Sequence, residues 1–206
     1  MTDDDWRVYT IQLIYKGYLS SIISPILSEE PIYQPASIDA VMSIITINLD
    51  LFGFIYVGGS NSSLNAVSYI REYLGRVDYR YREVGGLLYH MLRHGYVHRF
   101  SSKRLMLSDG KILDFEFSFS KKRDEHLVIK KGATNEPRLL INVPLICEDT
   151  LLALDLYAED VHSDPNLANT FERGFNTRRE PERESQLRRR NYILDSDFDF
   201  VHRQLN

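Results

Sequence analysis

Cysteine occurs once in the 206 residues, at Cys147. One thiol forms no intramolecular disulfide, and Cys-rich zinc modules are excluded. A reducing compartment fits that usage. An excess of positive charge is missing too: 25 Lys and Arg stand against 29 Asp and Glu, a formal net charge of −4. No global basic field draws in duplex DNA or an anionic membrane, so any nucleic-acid contact must come from a local patch. A long uninterrupted apolar run is also lacking. The greasiest region, 41–57, carries Asn48, Asp50 and several Ser and Thr, which reads as a buried helix rather than a membrane span. The start, Met1-Thr2-Asp3-Asp4-Asp5, is acidic where a secretion signal is basic. The expectation is a cytoplasmic protein without membrane contact.

What is present is a core-forming composition. The chain is 43% hydrophobic and 12% aromatic, too rich in aromatics for wholesale disorder. Ile11, Ile14, Tyr18, Ile22 and Ile26 recur at steps of three and four, predicting one face of a helix over 5–27 that Pro25 bends or ends. A second helix, 38–57, is apolar nearly all round and belongs at the centre of a bundle, with Ser37 as its N-cap. Gly58 to Ser63 breaks the chain. A third helix, 64–74, is expected to stop at Gly75. A fourth begins near Tyr79, with Val84, Leu87, Leu88, Met91 and Leu92 as its core stripe.

The texture then changes to short strands around 104–107, 112–119, 126–129 and 139–143, with Ser108-Asp109-Gly110-Lys111 as a hairpin turn. Pro144 opens a fifth helix to about Val161, and a short sixth spans 166–175. The predicted fold is mainly α: an antiparallel helical bundle, residues 1–175, with a small β-hairpin or sheet inserted at about 101–143. Residues 178–190 hold six arginines and three glutamates, so 176–206 reads as a charged tail that is solvated, with RNA binding or docking on a regulatory protein partner as the other readings.

One constellation carries chemistry. It is Leu92-Arg93-His94-Gly95-Tyr96-Val97-His98, at the end of the fourth helix. It resembles the R-x4-6-H motif of the HEPN superfamily (higher eukaryotes and prokaryotes nucleotide-binding domain). The longer string Leu-Tyr-His-Met-Leu-Arg-His-Gly-Tyr-Val-His is similar to the "LY-x-x-x-R-(H/N)-G-L-V-H" string of uncharacterised bacterial HEPN-like proteins, with Tyr96 where that pattern often has Leu. The resemblance spans roughly 38–158, and neither the first helix nor the tail is covered by it.

That resemblance implies a dimeric helical bundle acting as a metal-independent endoribonuclease, in antiphage defence or as a toxin. Two Arg and two His would line one cleft on a two-fold axis. His98 would be general acid or base, since imidazole titrates near neutral pH. Arg93 would hold the phosphate and stabilise its equatorial oxygens, and His94 would orient or tune the pair. A 2′-hydroxyl attacks the adjacent phosphorus, leaving a 2′,3′-cyclic phosphate and a 5′-hydroxyl. No cofactor or metal is implied. Arg99, Lys103, Arg104, Lys121 and Lys122 are candidate RNA contacts; a solvated edge guarded by lysine is the other reading of the hairpin cations, Arg123, Lys130 and Lys131 among them.

The spacing sets a geometric condition. Positions 93 and 98 lie about 140° apart around an ideal helix. They share a face only if the helix distorts near Gly95, or a second protomer closes the site. The rival reading is a non-catalytic module that dimerises or binds a nucleotide or partner, with Arg93 and His98 pairing carboxylates or capping the helix end. His90, His94 and His98 also recur every four residues, a spacing open to zinc, though no further ligand joins them. The Gly58–Ser63 loop lacks Gly-Lys-Ser/Thr and reads as a flexible connection rather than a phosphate loop.

Overall fold

The computed structural model describes residues 6–28, 35–60, 63–99, 104–132 and 135–179. It divides the chain into two units, Met1–Phe175 and Asn176–Asn206; of the second, only the last turn of its helix is among the described residues.

Helix α1 covers residues 6–28 as Trp6–Tyr9, a π-helical stretch Thr10–Lys16, and Gly17–Ser28. The expected apolar stripe is out of phase with the core. Ile14 and Tyr18 are exposed, while Ile11, Leu19 and Ile23 are buried and Tyr15 is half-buried. A π turn closes on i→i+5 bonds and holds more residues than an α turn. The stripe that starts at Ile11 therefore rotates off the core within one turn. Pro25 does not end the helix, which runs on to Ser28.

Helix α2 (Pro35–Val57) buries Val41, Met42, Ile45, Leu49, Phe52 and Ile55, and leaves Ile47 exposed. Its stretch Ile38–Val57 is long and apolar enough to cross a membrane by length and composition; it is the one such helix among the described residues. The Gly58–Ser60 part of the following loop is an ordered helix cap rather than a flexible link. Gly58 and Gly59 both take positive φ, Gly59 N–H donates to Phe54 O at 2.8 Å and Gly58 N–H to Ile55 O at 3.1 Å. That is a Schellman stop, which needs a residue free of Cβ strain. Arg173 donates to the Gly58 carbonyl at 3.0 Å, so the loop already has a cationic partner.

Helix α3 covers residues 63–77, again with a π-helical turn, Ile70–Leu74, in its middle. Gly75 does not stop it: the residue is helical, and the chain turns extended only at Asp78. Glycine is there for space, since a Cβ would lie 2.5 Å from Arg82 Cγ. Helix α4 (Arg80–Arg99) follows. Leu88, Met91 and Leu92 of its predicted stripe are fully buried, and Val84 and Leu87 pack at the edge. Gly85 lets Ile70 of α3 close in, with a hypothetical Cβ only 2.8 Å from its Cγ2.

The β segment forms a four-stranded mixed sheet of order β1-β2-β4-β3: β1 (Leu105–Met106), β2 (Ile112–Ser118), β3 (Val128–Lys131) and β4 (Pro137–Asn142). β1 and β2 form the expected hairpin, and β2 pairs β4 in parallel, with Phe115 opposite Leu139. β4 is buried from Leu139 onward and feeds straight into α5 (Val143–Ser163), whose N-cap is Asn142. Helix α6 (Pro165–Arg179) outruns its predicted end at 175. Ion pairs Arg7–Glu172 (3.2 Å) and Lys16–Asp155 (2.6 Å) tie α1 to α6 and α5. Tyr69, Tyr73, Tyr157, Phe52 and Phe171 fill the centre of this mainly helical unit. Cys147 is a buried core thiol, pushed up to about 12 by burial.

Candidate functional site

Two polar constellations stand out: one on the outer face of α4, the other buried where the sheet meets the helices.

The first centres on Arg93. Its Nε lies 3.0 Å from Asp50 Oδ2 in an ion pair, with both side chains about one-third exposed (33% and 30%). The other Asp50 oxygen, Oδ1, accepts the Tyr89 hydroxyl. Tyr89 and Arg93 are one helical turn apart on α4, so both reach the same carboxylate on α2. Burial, and then the hydrogen bond to Asp50, push the Tyr89 phenol up to about 12, so it stays a donor. Asp50 is thus held through both oxygens. Arg93 has five N–H donors, and its Nε is the one paired with Asp50 in this ion pair. Its terminal nitrogens form a planar fork suited to two oxygens of one anion.

His94 is exposed, and its ring lies 4.5 Å from that of His90, also exposed. α4 is regular α-helix through Gly95 to Arg99. The backbone therefore keeps positions 93 and 98 about 140° apart, as an ideal helix has them. The side chains of His98 and Arg99, and all of Lys103, lie outside the described residues. Arg104 pairs with Asp114 at 3.2 Å. Lys121 and Lys122 are exposed beyond β2, Lys121 at positive φ. Among the described residues no group of three or more His, Cys, Asp or Glu is arranged to hold a metal ion.

The second constellation had no counterpart in the sequence reading. His126 is fully buried, and its Nδ1 accepts the backbone N–H of Asn142 at 3.1 Å. The neutral ring then carries its proton on Nε2, which donates to the Tyr81 oxygen at 2.9 Å. Tyr81 in turn donates to Asp149 Oδ2 at 3.0 Å. Arg123 Nη1 bonds both oxygens of Asp149, at 2.7 and 2.5 Å, and lies 3.6 Å from Asp78. Burial lowers the His126 pKa to about 3, in keeping with a nitrogen that already accepts. Burial raises the Asp149 carboxyl, with Arg123 opposing. Arg123, grouped with the hairpin cations by sequence, is therefore a structural counter-ion. Asp149, Tyr81 and His126 come from three separate segments, and nothing local marks any of them. This relay is sealed by packing and holds the sheet to the bundle.

Asp50 and Tyr89 are the site residues that sequence reasoning missed. The available signal was Asp50, a carboxylate deep within a mostly apolar helix. No protein family, curated protein or solved structure matches this chain.

Proposed function

We propose that the chain is a metal-independent endoribonuclease of HEPN type, working as a homodimer at a site built from the end of α4. One observation supports the reading: the Arg93 side chain is one-third exposed at the end of α4, and its Nε pairs with Asp50 of α2. In the proposed reaction Arg93 holds the scissile phosphodiester and stabilises charge on its non-bridging oxygens. A histidine removes the proton from the 2′-hydroxyl as that oxygen attacks phosphorus. A second histidine protonates the departing 5′-oxygen. His98 fills these roles and His94 tunes them. Because α4 stays α-helical through position 98 and sets 93 and 98 about 140° apart, the His98 that meets a given Arg93 comes from the second copy of the chain.

The Arg93–Asp50 pair also suits a second reading, in which Arg93 fastens α4 to α2 in a non-catalytic dimerisation or nucleotide-binding module. Cleavage of RNA in EDTA, by wild type and by Arg93→Ala and His98→Ala, separates the two. Nuclease function predicts loss of cutting with an unchanged Tm and a retained dimer. Loss of several degrees, or of the dimer, in both variants makes these residues structural.

A further inference from the structure

Helix α2 carries more apolar surface than the bundle covers. Of the most apolar 18-residue window in 38–57, 44% is buried. Met42, Ile45, Leu49 and Phe52 face the core. On the opposite side Ala40, Ile44, Ile47, Leu51 and Phe54 are exposed or half-buried, with Ile47 at 55% exposure. Their steps of four, three, four and three keep them within about 80° of arc. That is the seam of a helix packed lengthwise against another helix. Ser43 and Asn48 at its borders turn their donors onto carbonyls of α2 itself, Asp39 O at 2.7 Å and Ile44 O at 2.8 Å.

The stripe is matched to itself about Ile47. Set antiparallel on a second copy, Ile47 meets its own copy, Ile44 lies across from Leu51, and small Ala40 from large Phe54. Parallel pairing would oppose Ala40 to Ala40 and Phe54 to Phe54, a gap and a clash. Residues 35–57 include no Lys or Arg, the residues that hold an amphipathic helix on an anionic bilayer. Two carboxylates border the stripe. Asp39 and its copy would stand about 24 Å apart along the antiparallel pair, and Asp50 already pairs with Arg93 at 3.0 Å. Two copies therefore meet without uncompensated like charge.

We infer that this stripe is the contact between two copies of the chain, an antiparallel α2–α2 seam with Ile47 on the two-fold axis. Asp50 borders the stripe about 40° past Phe54. The axis keeps both Asp50 borders on one side of the helix pair, about 9 Å apart along it. Both Arg93–Asp50 pairs then stand on the same side of the dimer. The proposed function calls for a second copy, so the choice of occupant rests on that reading, while the seam rests on α2 alone.

Light scattering of the full chain over a dilution series reads the contact, and circular dichroism reads the fold. RNA cleavage in EDTA reads the nuclease assignment separately. Ile47→Glu puts two carboxylates on the axis and should halve the mass to 24.1 kDa. Helix content should not change, since Ile47 is exposed in the single chain. Ile47→Cys should cross-link two chains on treatment with diamide; the native thiol, Cys147, is buried. An Ile47→Glu protein that stays dimeric, with no cross-link in Ile47→Cys, overturns the seam and leaves a nuclease dimer to form elsewhere. A dimer that Ile47→Glu dissociates, but that leaves RNA whole, supports the seam and removes the nuclease reading. A monomeric wild type overturns the inference. Flotation of that monomer with phosphatidylserine vesicles, lost in Ile47→Glu, would give the stripe to lipid instead.

Discussion

The Tyr81 hydroxyl accepts from His126 and donates to Asp149, whereas the Tyr69 hydroxyl is buried with no partner among the described residues. The two phenols therefore respond oppositely to loss of one oxygen. Tyr81→Phe leaves a buried carboxylate and a buried imidazole each short of a bond, and should cost about 2 kcal/mol. Tyr69→Phe removes a group that has nothing to bond and keeps its ring contacts, so Tm should hold or rise. Urea denaturation of the two variants checks the pair. Arg123→Ala strips the cation from the fully buried Asp149 and should destabilise by about 2 kcal/mol as well. His126 adds a pH signature. Its pKa falls from 6.5 unfolded to about 3 folded. Between those values the unfolded chain binds the proton and the native one does not, so stability falls as pH drops from about 6.5 towards 3. Asp78, held low by Arg80 against its burial, acts in the same direction. Asp149, raised by burial, acts against it. Thermal melts from pH 7 to 4 should show falling Tm, with a shallower slope in His126→Gln. A flat or rising profile contradicts the buried neutral imidazole.

At the level of elements, helix existence and order were legible, because 3.6-residue periodicity is local information. The stripe on α4 and the hairpin turn at Gly110 are examples. What misled was geometry that spacing cannot report. The π turn in α1 moved Ile14 and Tyr18 outward. Gly75 looked like a stop and is a notch for Arg82. The sheet order β1-β2-β4-β3 and the pairing of Arg93 with Asp50 depend on contacts between distant segments, which the pattern along one segment does not encode. Close helix approach is itself testable. A Cβ on Gly53 would lie 2.4 Å from the backbone nitrogen of Ala66. Gly53→Ala must push α2 and α3 apart, and should cost about 3 kcal/mol despite alanine's better helix propensity. Gly110→Ala meets open space at φ +81°, so only the backbone penalty remains, about 1 kcal/mol. Denaturant midpoints should rank the two in that order.

For the whole molecule, the unbroken α-helical course of α4 to Arg99 makes assembly part of the proposed chemistry. Positions 93 and 98 lie about 140° apart around the helix, so the proposed site takes its Arg93 and His98 from two chains. Light scattering should give twice the 24.1 kDa of the single chain. A monomer that cuts RNA would detach the activity from this geometry. The most direct test of the nuclease assignment is the identity of the product ends. RNA incubated with the protein in EDTA should yield fragments ending in 2′,3′-cyclic phosphate and starting with 5′-hydroxyl, while DNA of the same sequence stays whole. Uncut RNA, or DNA cut equally well, would contradict attack by a 2′-hydroxyl at the Arg93 site.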